Sequence, residues 1–328
     1  MIDQKYVDFA VEETMALLAI DSPSGYTEQA ARACLHEFQA LGFEAWLTGK
    51  GGVVADLGGA DEDDALWLEA PLDTLGGLNP NNAEAENCRV VTKFDGVYEG
   101  TLQLDNASIH VNGDYSDTVR KFSCMEVVLD EDVKTADDTR KLGISAGDIV
   151  CFDPRSRVTE KGYIKSRFLD DKLSVGILLG LAKYLHDEGI TPKRRVYVHV
   201  AVYEEVGHGG SASVPAGVTE AISVDMGCVG DGLSCTEKQV SICAKDSGGP
   251  YSYDVVKKLM AAAKREGADY AVDVYPRYGS DVEATLRAGY DIRHGLIGAG
   301  VYASHGYERS HRDGVKNTLL VLKGYLEV

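Results

Sequence analysis

Two adjacent carboxylates, Glu204 and Glu205, follow a β-rich run over 194–203 and precede a glycine-rich turn that contains His208. The run is rich in β-branched residues, which predicts a strand that ends at the pair. Two like charges at a strand end repel each other unless a cation lies between or beyond them. A divalent metal ion can neutralise one carboxylate and leave the other free for proton transfer. The alternative, more common for an isolated pair, is that both glutamates are solvated loop residues.

Further residues of the metal-ligand type fall at the ends of other predicted strands. Asp73, Asp170 and Asp225 each adjoin a strand, and His305 follows the last one. Ligands of open α/β sheets bind outside the carboxyl ends of the strands, so these side chains are predicted to converge. Nitrogen and oxygen donors of this kind suit Zn²⁺, Co²⁺ or Mn²⁺ without a thiolate. A single such residue commonly caps a helix, whereas the whole set indicates a metal centre.

The chain combines an α/β pattern with a β-rich interruption. Residues 1–77 and 165–328 alternate helices and strands, including a helix at about 171–187 with a leucine-rich stripe. Residues 78–164 consist of short alternating runs divided by Asn, Asp and Gly turns, with one short helix at 135–142. We therefore predict an α/β domain into which a small β-barrel or sandwich is inserted. Its strands are predicted at 89–92, 96–104, 108–111, 125–129 and 148–152.

Composition excludes several classes of partner. The formal net charge of the 328 residues is −19, and neither nucleic acid nor an anionic membrane binds readily to an acidic protein. No signal peptide and no apolar run long enough to span a membrane is predicted. The seven cysteines are scattered and lack Cys-x-x-Cys pairs, which favours free thiols in a reducing compartment. A cytoplasmic location is the expectation.

Four segments keep the order and spacing of known motifs. They are IKSRFLDDK at 164–172, EEVG at 204–207, SVD at 223–225 and YGSD at 278–281. With these segments the chain resembles metallopeptidase family 42, the tetrahedral aminopeptidases, which include glutamyl and deblocking aminopeptidases. The resemblance covers essentially the whole chain, including the β-rich insertion. It implies a zinc-peptidase-like catalytic domain with a mixed sheet.

The resemblance also implies a role for each residue of the candidate centre. Asp170 would bridge two divalent metal ions, and Glu205 and His305 would complete one site. Asp225 and the histidine of a His-x-Asp motif would complete the other. Glu204 would be the general base, which takes a proton from the attacking water and passes it to the leaving amine.

One position departs from the family pattern. Pro71-Leu72-Asp73 stands where the family has His-x-Asp, and a proline side chain has no donor atom for a metal. Asp73 then has no histidine to orient. His208 is a candidate substitute ligand, although a local turn role is the preferred interpretation. We expect one or two metal ions per chain.

Two functions follow from the residues that are kept and the one that is lost. The first is a metal-dependent aminopeptidase that acts on short peptides with reduced or conditional activity. The alternative is a catalytically impaired relative that binds a peptide or metabolite, or that is a structural part of an assembly. The resemblance implies a dodecamer with contacts through the inserted domain, and a dimer is the alternative.

Two further acids begin predicted helices. Asp171 is expected to cap the helix at 171–187 or to complement its dipole. Asp281 is expected to cap the helix at 281–288, with contact to the substrate as the alternative.

Overall fold

The structure is a computed structural model that describes residues 2–75 and 78–328. The chain divides into two compact units. The first comprises Met1–Gly76 and Arg155–Val328, and the second comprises Gly77–Pro154.

Helices occur in both units of the described chain. In chain order they are α1 (Gln4–Leu18), α2 (Glu28–Ala40), α3 (Pro80–Ala83), α4 (Ala136–Lys141), α5 (Leu169–Asp187), α6 (Tyr253–Glu266), α7 (Asp281–Arg287) and α8 (Arg312–Leu326). None of these helices is long and apolar enough to cross a membrane.

The strands follow the same order. They are β1 (Glu44–Leu47), β2 (Val53–Asp56), β3 (Asp61–Pro71), β4 (Asn87–Val91), β5 (Val97–Leu104), β6 (Met125–Leu129), β7 (Ile149–Phe152), β8 (Arg157–Val158), β9 (Tyr163–Ser166), β10 (Arg194–Ala201), β11 (Val218–Val224), β12 (Gly227–Val229), β13 (Val240–Lys245), β14 (Tyr270–Val274), β15 (Arg293–Tyr302) and β16 (Glu308–His311).

A large mixed sheet forms the centre of the first unit, and it confirms the predicted α/β class. Its strand order is β1-β2-β10-β3-β11-β15-β16-β9-β8. Strands β10, β3, β11 and β15 are parallel to one another, whereas β2 pairs antiparallel with β10, and β16 pairs antiparallel with β15 and β9. The parallel strands are covered on both faces, so β3 carries the consecutive buried residues Leu66, Trp67 and Leu68.

The second unit contains an open antiparallel sheet rather than the predicted barrel. Its strand order is β6-β5-β4-β7, and within the described part of this unit β6 and β7 do not pair. The predicted strand at 108–111 is wrong, because Val111 N and Asn112 N both donate to the carbonyl of Ser108 and close a turn there. Helix α3 has no counterpart among the predicted elements.

The predicted end of the insertion at 164 is ten residues too late relative to the unit boundary at Pro154. Strand β8 pairs with β9, and β9 pairs with β16, so both strands belong to the sheet of the first unit. The sequence of such a short strand does not indicate which sheet the strand joins. The predicted start of the insertion adjoins Gly76 and Gly77, which lie outside the described residues.

Helix α5 positions the site because it carries two of the site's acids at its start. Its predicted leucine-rich stripe is buried, and the rest of the helix is buried on nearly every side. Helix α1 packs closely against it at Gly176, where an added Cβ would lie 2.6 Å from the carbonyl oxygen of Ala10 and would also meet Thr14 Oγ1. Thr14 Oγ1 itself donates to that carbonyl at 2.8 Å. The helices therefore approach at a distance that only glycine allows.

Gly176→Ala tests this packing. Alanine normally stabilises a helix relative to glycine, by roughly 0.5–1 kcal/mol. At this position the clash with backbone atoms should outweigh that gain and lower the free energy of unfolding by about 1–3 kcal/mol, measured by urea denaturation. Gly230→Ala, at a position with no neighbouring atom within 4 Å, is the control and should change stability by less than about 0.5 kcal/mol. A stabilised Gly176→Ala protein would contradict the packing.

Candidate metal centre

The predicted site residues converge at one edge of the large sheet. Glu204 and Glu205 form a short 3₁₀ turn directly after β10, and Asp225 directly follows β11. Asp170 lies at the start of α5 and His305 lies between β15 and β16. Because β10, β3, β11 and β15 are parallel, their carboxyl ends meet at this edge. All five side chains line a cavity of about 550 Å³.

One donor group combines two carboxylates with an imidazole. His305 Nε2 lies 3.2 Å from Asp170 Oδ2 and 3.6 Å from Glu205 Oε2. One donor atom from each of the three residues lies within 4.8 Å of the others. Two carboxylate oxygens and one imidazole nitrogen form the kind of donor set that binds Zn²⁺ with a coordination position left open. We call these three residues the nitrogen-containing group.

A second donor group contains oxygen alone. One oxygen each of Asp170, Asp171 and Asp225 lies within 4.8 Å of the other two. Pro71 is the last residue of β3, buried and in register with Ala201 of β10, so no imidazole enters from this strand. The residues therefore do not fit a second site that requires a nitrogen donor. We call these three aspartates the carboxylate group.

Burial and mutual repulsion raise the pKa values of the acids in the cavity. The pKa of Glu204 is raised by burial and then by Asp225, and that of Glu205 is raised to about 10 by burial and by Asp170. Burial and the charge of Asp170 raise the pKa of Asp225 to about 8. The hydrogen bond to Asp170 raises the pKa of His305. A bound cation would relieve this repulsion.

Glu308 holds two members of the nitrogen-containing group by their backbones. Its side chain is 1% exposed, and its two oxygens accept hydrogen bonds from Asp170 N at 3.0 Å and His305 N at 2.8 Å. One carboxylate thus fixes two residues that are far apart in sequence. The sequence does not identify Glu308, because nothing in a short strand distinguishes a buried acid that binds two backbones from an exposed one.

Asp73 has partners that the sequence does not reveal. Oδ1 accepts a hydrogen bond from the backbone nitrogen of Glu204 at 3.0 Å, and Oδ2 accepts one from Ser24 Oγ at 2.5 Å. Burial raises the pKa of Asp73, and these hydrogen bonds oppose that effect. Asp73 has no histidine to orient, but it fixes the backbone of Glu204 instead.

Side chains around the glycine-rich turn form hydrogen bonds with its backbone, whereas the side chain of His208 packs on Tyr203. Asp281 Oδ1 accepts a hydrogen bond from Gly210 N at 2.8 Å, so Asp281 braces the turn and is not the predicted helix cap. Lys50 Nζ donates to the carbonyl of His208 at 2.5 Å. The exposed imidazole of His208 stacks on Tyr203, with ring centroids 5.1 Å apart, and belongs to neither donor group.

Asp171 lies in the first turn of α5, at a kink where its backbone and that of Asp170 are non-helical. Its oxygens accept no hydrogen bond from a described backbone N–H, so it is not a hydrogen-bonding cap. The alternative expectation, that its charge complements the helix dipole, stays a prediction. The Asp171 side chain is 1% exposed and points toward Asp170 and Asp225.

The wall of the cavity also offers groups that can contact a bound molecule. Arg277, Arg287 and Tyr278 line it together with the acids. The hydroxyl of Tyr278 donates to the carbonyl of Met226 at 3.3 Å. The cavity thus combines a cluster of acids with two positively charged side chains.

Comparisons with known proteins agree on the fold and on the family to which the chain is similar. A family model described as M42 glutamyl aminopeptidase matches residues 69–320. The chain is 38% identical over 340 residues to "Putative aminopeptidase YhfE" of Bacillus subtilis (strain 168), covering 97% of this chain and 98% of that protein.

Two solved structures are similar in fold. Aminopeptidase APDkam598 from the archaeon Desulfurococcus kamchatkensis matches with a TM-score of 0.86 and 18% identity, over 98% of this chain and 95% of that one. PhTET1-12s, described as a dodecamer in the asymmetric unit, matches with a TM-score of 0.81 and 19% identity, over 96% of this chain and 98% of that one.

The raised pKa values predict how pH acts on the metal-free protein. The folded-state pKa of Glu205, about 10, exceeds its ordinary value of 4.5, so the folded protein binds this proton more tightly than the unfolded chain. The stability that the proton contributes is complete below about pH 4 and is lost as the pH rises through the folded-state pKa. The free energy of unfolding should therefore fall between about pH 6 and about pH 9.

Glu205→Gln should make that fall shallower, by up to about 1.4 kcal/mol per pH unit, because one titrating proton is removed. The measurement is urea unfolding of the chelator-treated protein at each pH. Glu160→Gln, at an exposed position in the turn between β8 and β9, is the matched control and should keep the wild-type slope. A free energy of unfolding that rises with pH over the same range in the wild type would contradict the raised pKa of Glu205.

Proposed function

Since the chain belongs to the M42 glutamyl aminopeptidase family, we propose that it is a metal-dependent aminopeptidase that removes N-terminal residues from short peptides. The observation that carries this proposal is the convergence of Asp170, Glu205 and His305 within 4.8 Å, with Glu204 beside them in the same cavity. A metal-ligand group next to a free carboxylate provides the two functions of metal-dependent peptide hydrolysis, a Lewis acid and a general base.

The nitrogen-containing group would hold one divalent cation, with Zn²⁺, Co²⁺ and Mn²⁺ as candidates. Such a cation supplies Lewis-acid chemistry, since it polarises a carbonyl and makes water more acidic. His305 and Glu205 would be ligands with Asp170, and Asp225 would face the cation from β11. Glu308 and Asp73 would hold the backbones of these residues in place.

Glu204 has the properties of a general base. It follows the strand end beside Glu205, it lies outside both donor groups, and Asp73 fixes its backbone. Burial among other acids raises its pKa, which favours a carboxylate that can accept a proton from water and hold it. Glu204 would then pass the proton to the amine of the leaving peptide.

Pro71 supports a second candidate function. Because Pro71 gives β3 no metal ligand at this point, the carboxylate group contains no nitrogen. Fewer side chains are then available to hold a second catalytic ion. A catalytically impaired relative that binds a peptide or metabolite, or has a structural part in an assembly, would tolerate that loss. Retention of the nitrogen-containing group and Glu204 favours the enzyme.

The proposed function includes an oligomeric state and a cellular compartment for this chain. PhTET1-12s is a dodecamer, and a homo-oligomer of this kind, with a dimer as the alternative, is proposed for this chain. Mass photometry separates the two directly. The seven cysteines are free thiols, which suits the cytoplasm, a reducing compartment.

Glu204→Gln tests the general base. The substitution keeps the size of the side chain and removes its proton affinity, so kcat on an amino-acid anilide should fall by roughly 10²–10⁴-fold. Metal content, measured by inductively coupled plasma mass spectrometry, should be unchanged. An N-acetylated anilide, which lacks a free amine, should resist the wild-type protein. Wild-type turnover by the variant would exclude Glu204 as the base.

Pro71→His tests whether the missing ligand limits activity. The new imidazole should raise the bound metal toward two ions per chain and raise kcat/KM by about 10-fold or more, because losing a supporting residue of a metal site typically costs that much. Pro71→Ala, which alters the backbone without adding a donor, should leave both near the wild-type value. Equal activity and two ions per chain in the wild type and Pro71→His would show that Pro71 does not matter.

A further inference from the structure

The backbone of the glycine-rich turn is bonded to the residues that lead into the site. Gly207 N donates a hydrogen bond to the carbonyl of Glu204 at 2.7 Å, and His208 N donates one to the carbonyl of Tyr203 at 3.1 Å. Tyr203 has a φ of +70°, in the left-handed region, which a residue other than glycine keeps only when its surroundings hold it there. The position of the turn therefore sets the backbone from which the Glu204 side chain extends.

The turn packs closely on a buried polar cluster. Asp281 Oδ1 accepts a hydrogen bond from Gly210 N at 2.8 Å, and Thr285 Oγ1 lies 2.7 Å from the carbonyl oxygen of Gly210. Thr285 Oγ1 also lies 3.1 Å from Oε2 of Glu69, a residue of β3 that is 0% exposed and lies 3.0 Å from His199 Nδ1. A Cβ added at Gly210 would lie 2.6 Å from Thr285 Oγ1 and 2.9 Å from Glu69 Oε1, so the fit leaves no room for a side chain.

Lys50 contacts the same turn from the hairpin between β1 and β2. Its Nζ donates hydrogen bonds to the carbonyls of His208 at 2.5 Å and Gly209 at 2.6 Å, and to Ser211 Oγ at 3.2 Å. An ammonium group has three N–H donors, so these three acceptors use all of them. One side chain thus joins the hairpin to three consecutive parts of the turn.

The charge of Lys50 complements the acids on which the turn packs. Burial lowers the pKa of Lys50, and the negative charges of Asp281, Glu69 and Asp73 act in the opposite direction. Asp281 is 1% exposed, and its Oδ2 has no hydrogen-bond partner among the described residues. A buried carboxylate in this state is costly unless a nearby charge compensates it. The Lys50 ammonium contributes to that compensation while it holds the turn.

We propose that Lys50 is a positioning residue for the general base. Its ammonium clamps the glycine-rich turn onto Asp281, Thr285 and Glu69, and the turn then fixes Glu204. Lys50 lines a separate cavity of about 680 Å³ and is not among the described residues that line the cavity of Glu204. It therefore acts through Glu204 rather than by contact with the substrate. The inference rests on the proposed role of Glu204 as the base.

Lys50→Met tests the proposal, because it keeps the length of the side chain and removes the ammonium. With saturating metal, kcat on an amino-acid anilide should fall by roughly 10–100-fold, since a misplacement of about 1 Å at an active site can cost about 100-fold. KM and the bound metal per chain should keep their wild-type values. Lys50→Arg, which retains a positive charge and several N–H donors, should restore most of the wild-type kcat.

A double-mutant cycle with Glu204→Gln shows whether the effect passes through the base. If Lys50 positions Glu204, Lys50→Met should add little to the loss of kcat that Glu204→Gln already causes. Losses that multiply in the double variant would show that Lys50 acts by another route and would overturn the inference. A wild-type kcat in Lys50→Met would overturn it as well.

Lys93→Met is the matched control. Lys93 also lies in a hairpin turn, between β4 and β5, and its Nζ donates a hydrogen bond to the carbonyl of Ala146 at 3.1 Å. Its ammonium thus contacts the backbone in the same way but within the second unit. This variant should keep the wild-type kcat and KM.

Hydrogen exchange read by mass spectrometry tests the clamp without any turnover. Peptides that cover 203–211 should exchange faster in Lys50→Met than in the wild type or Lys93→Met, because the turn loses three hydrogen bonds. Unchanged exchange in these peptides would overturn the inference. Faster exchange in Lys50→Met, together with a wild type that hydrolyses no peptide, would overturn only the proposed function.

Discussion

Repulsion between buried carboxylates is the constraint on which this site depends. Parallel strands bring Glu204, Glu205 and Asp225 to one sheet edge, and α5 begins there with Asp170 and Asp171. In a cavity that shields them from water, these charges raise each other's pKa values rather than being screened. The fold can keep such a group only because protons or cations compensate it. The same energy that destabilises the empty site is available to bind a cation.

Carboxylates also build the frame around the group. Glu308, Asp73 and Asp281 each accept a hydrogen bond from a backbone nitrogen of the site or of the turn beside it. A carboxylate is a strong acceptor, so each of these bonds fixes a peptide plane and therefore the direction of the attached side chain. Asp281 also lines the cavity, so an acid of this region can both face the cavity and hold the chain.

Site residues can be predicted from the sequence where the residue type fits a metal ligand or a base and the position falls at the end of a predicted element. Glu204, Glu205, Asp225 and His305 follow strand ends, and Asp170 begins α5. The parallel order of the sheet brings such ends together whatever the details of packing. The α/β class and the burial of the leucine-rich stripe of α5 follow from periodicity in the same way.

Side-chain direction and long-range pairing lie beyond what local patterns can predict. Asp171 and Asp281 begin helical segments, a position typical of caps, but tertiary packing turns both toward other elements. The partners of Asp73 and Glu308 are distant in sequence, so no local pattern identifies them. The edge of the inserted unit and its open sheet depend on which strands pair, and strand pairing is set by the whole fold rather than by single runs.

The sharing of Asp170 between two donor groups has a consequence for how such centres diverge. The remaining members of each group come from different segments, so a substitution can change the donors of one group and leave the other untouched. Pro71, at the end of β3, adds no nitrogen to the carboxylate group, and this leaves Glu205 and His305 unaffected. Donor groups built around one common carboxylate can therefore change independently of each other.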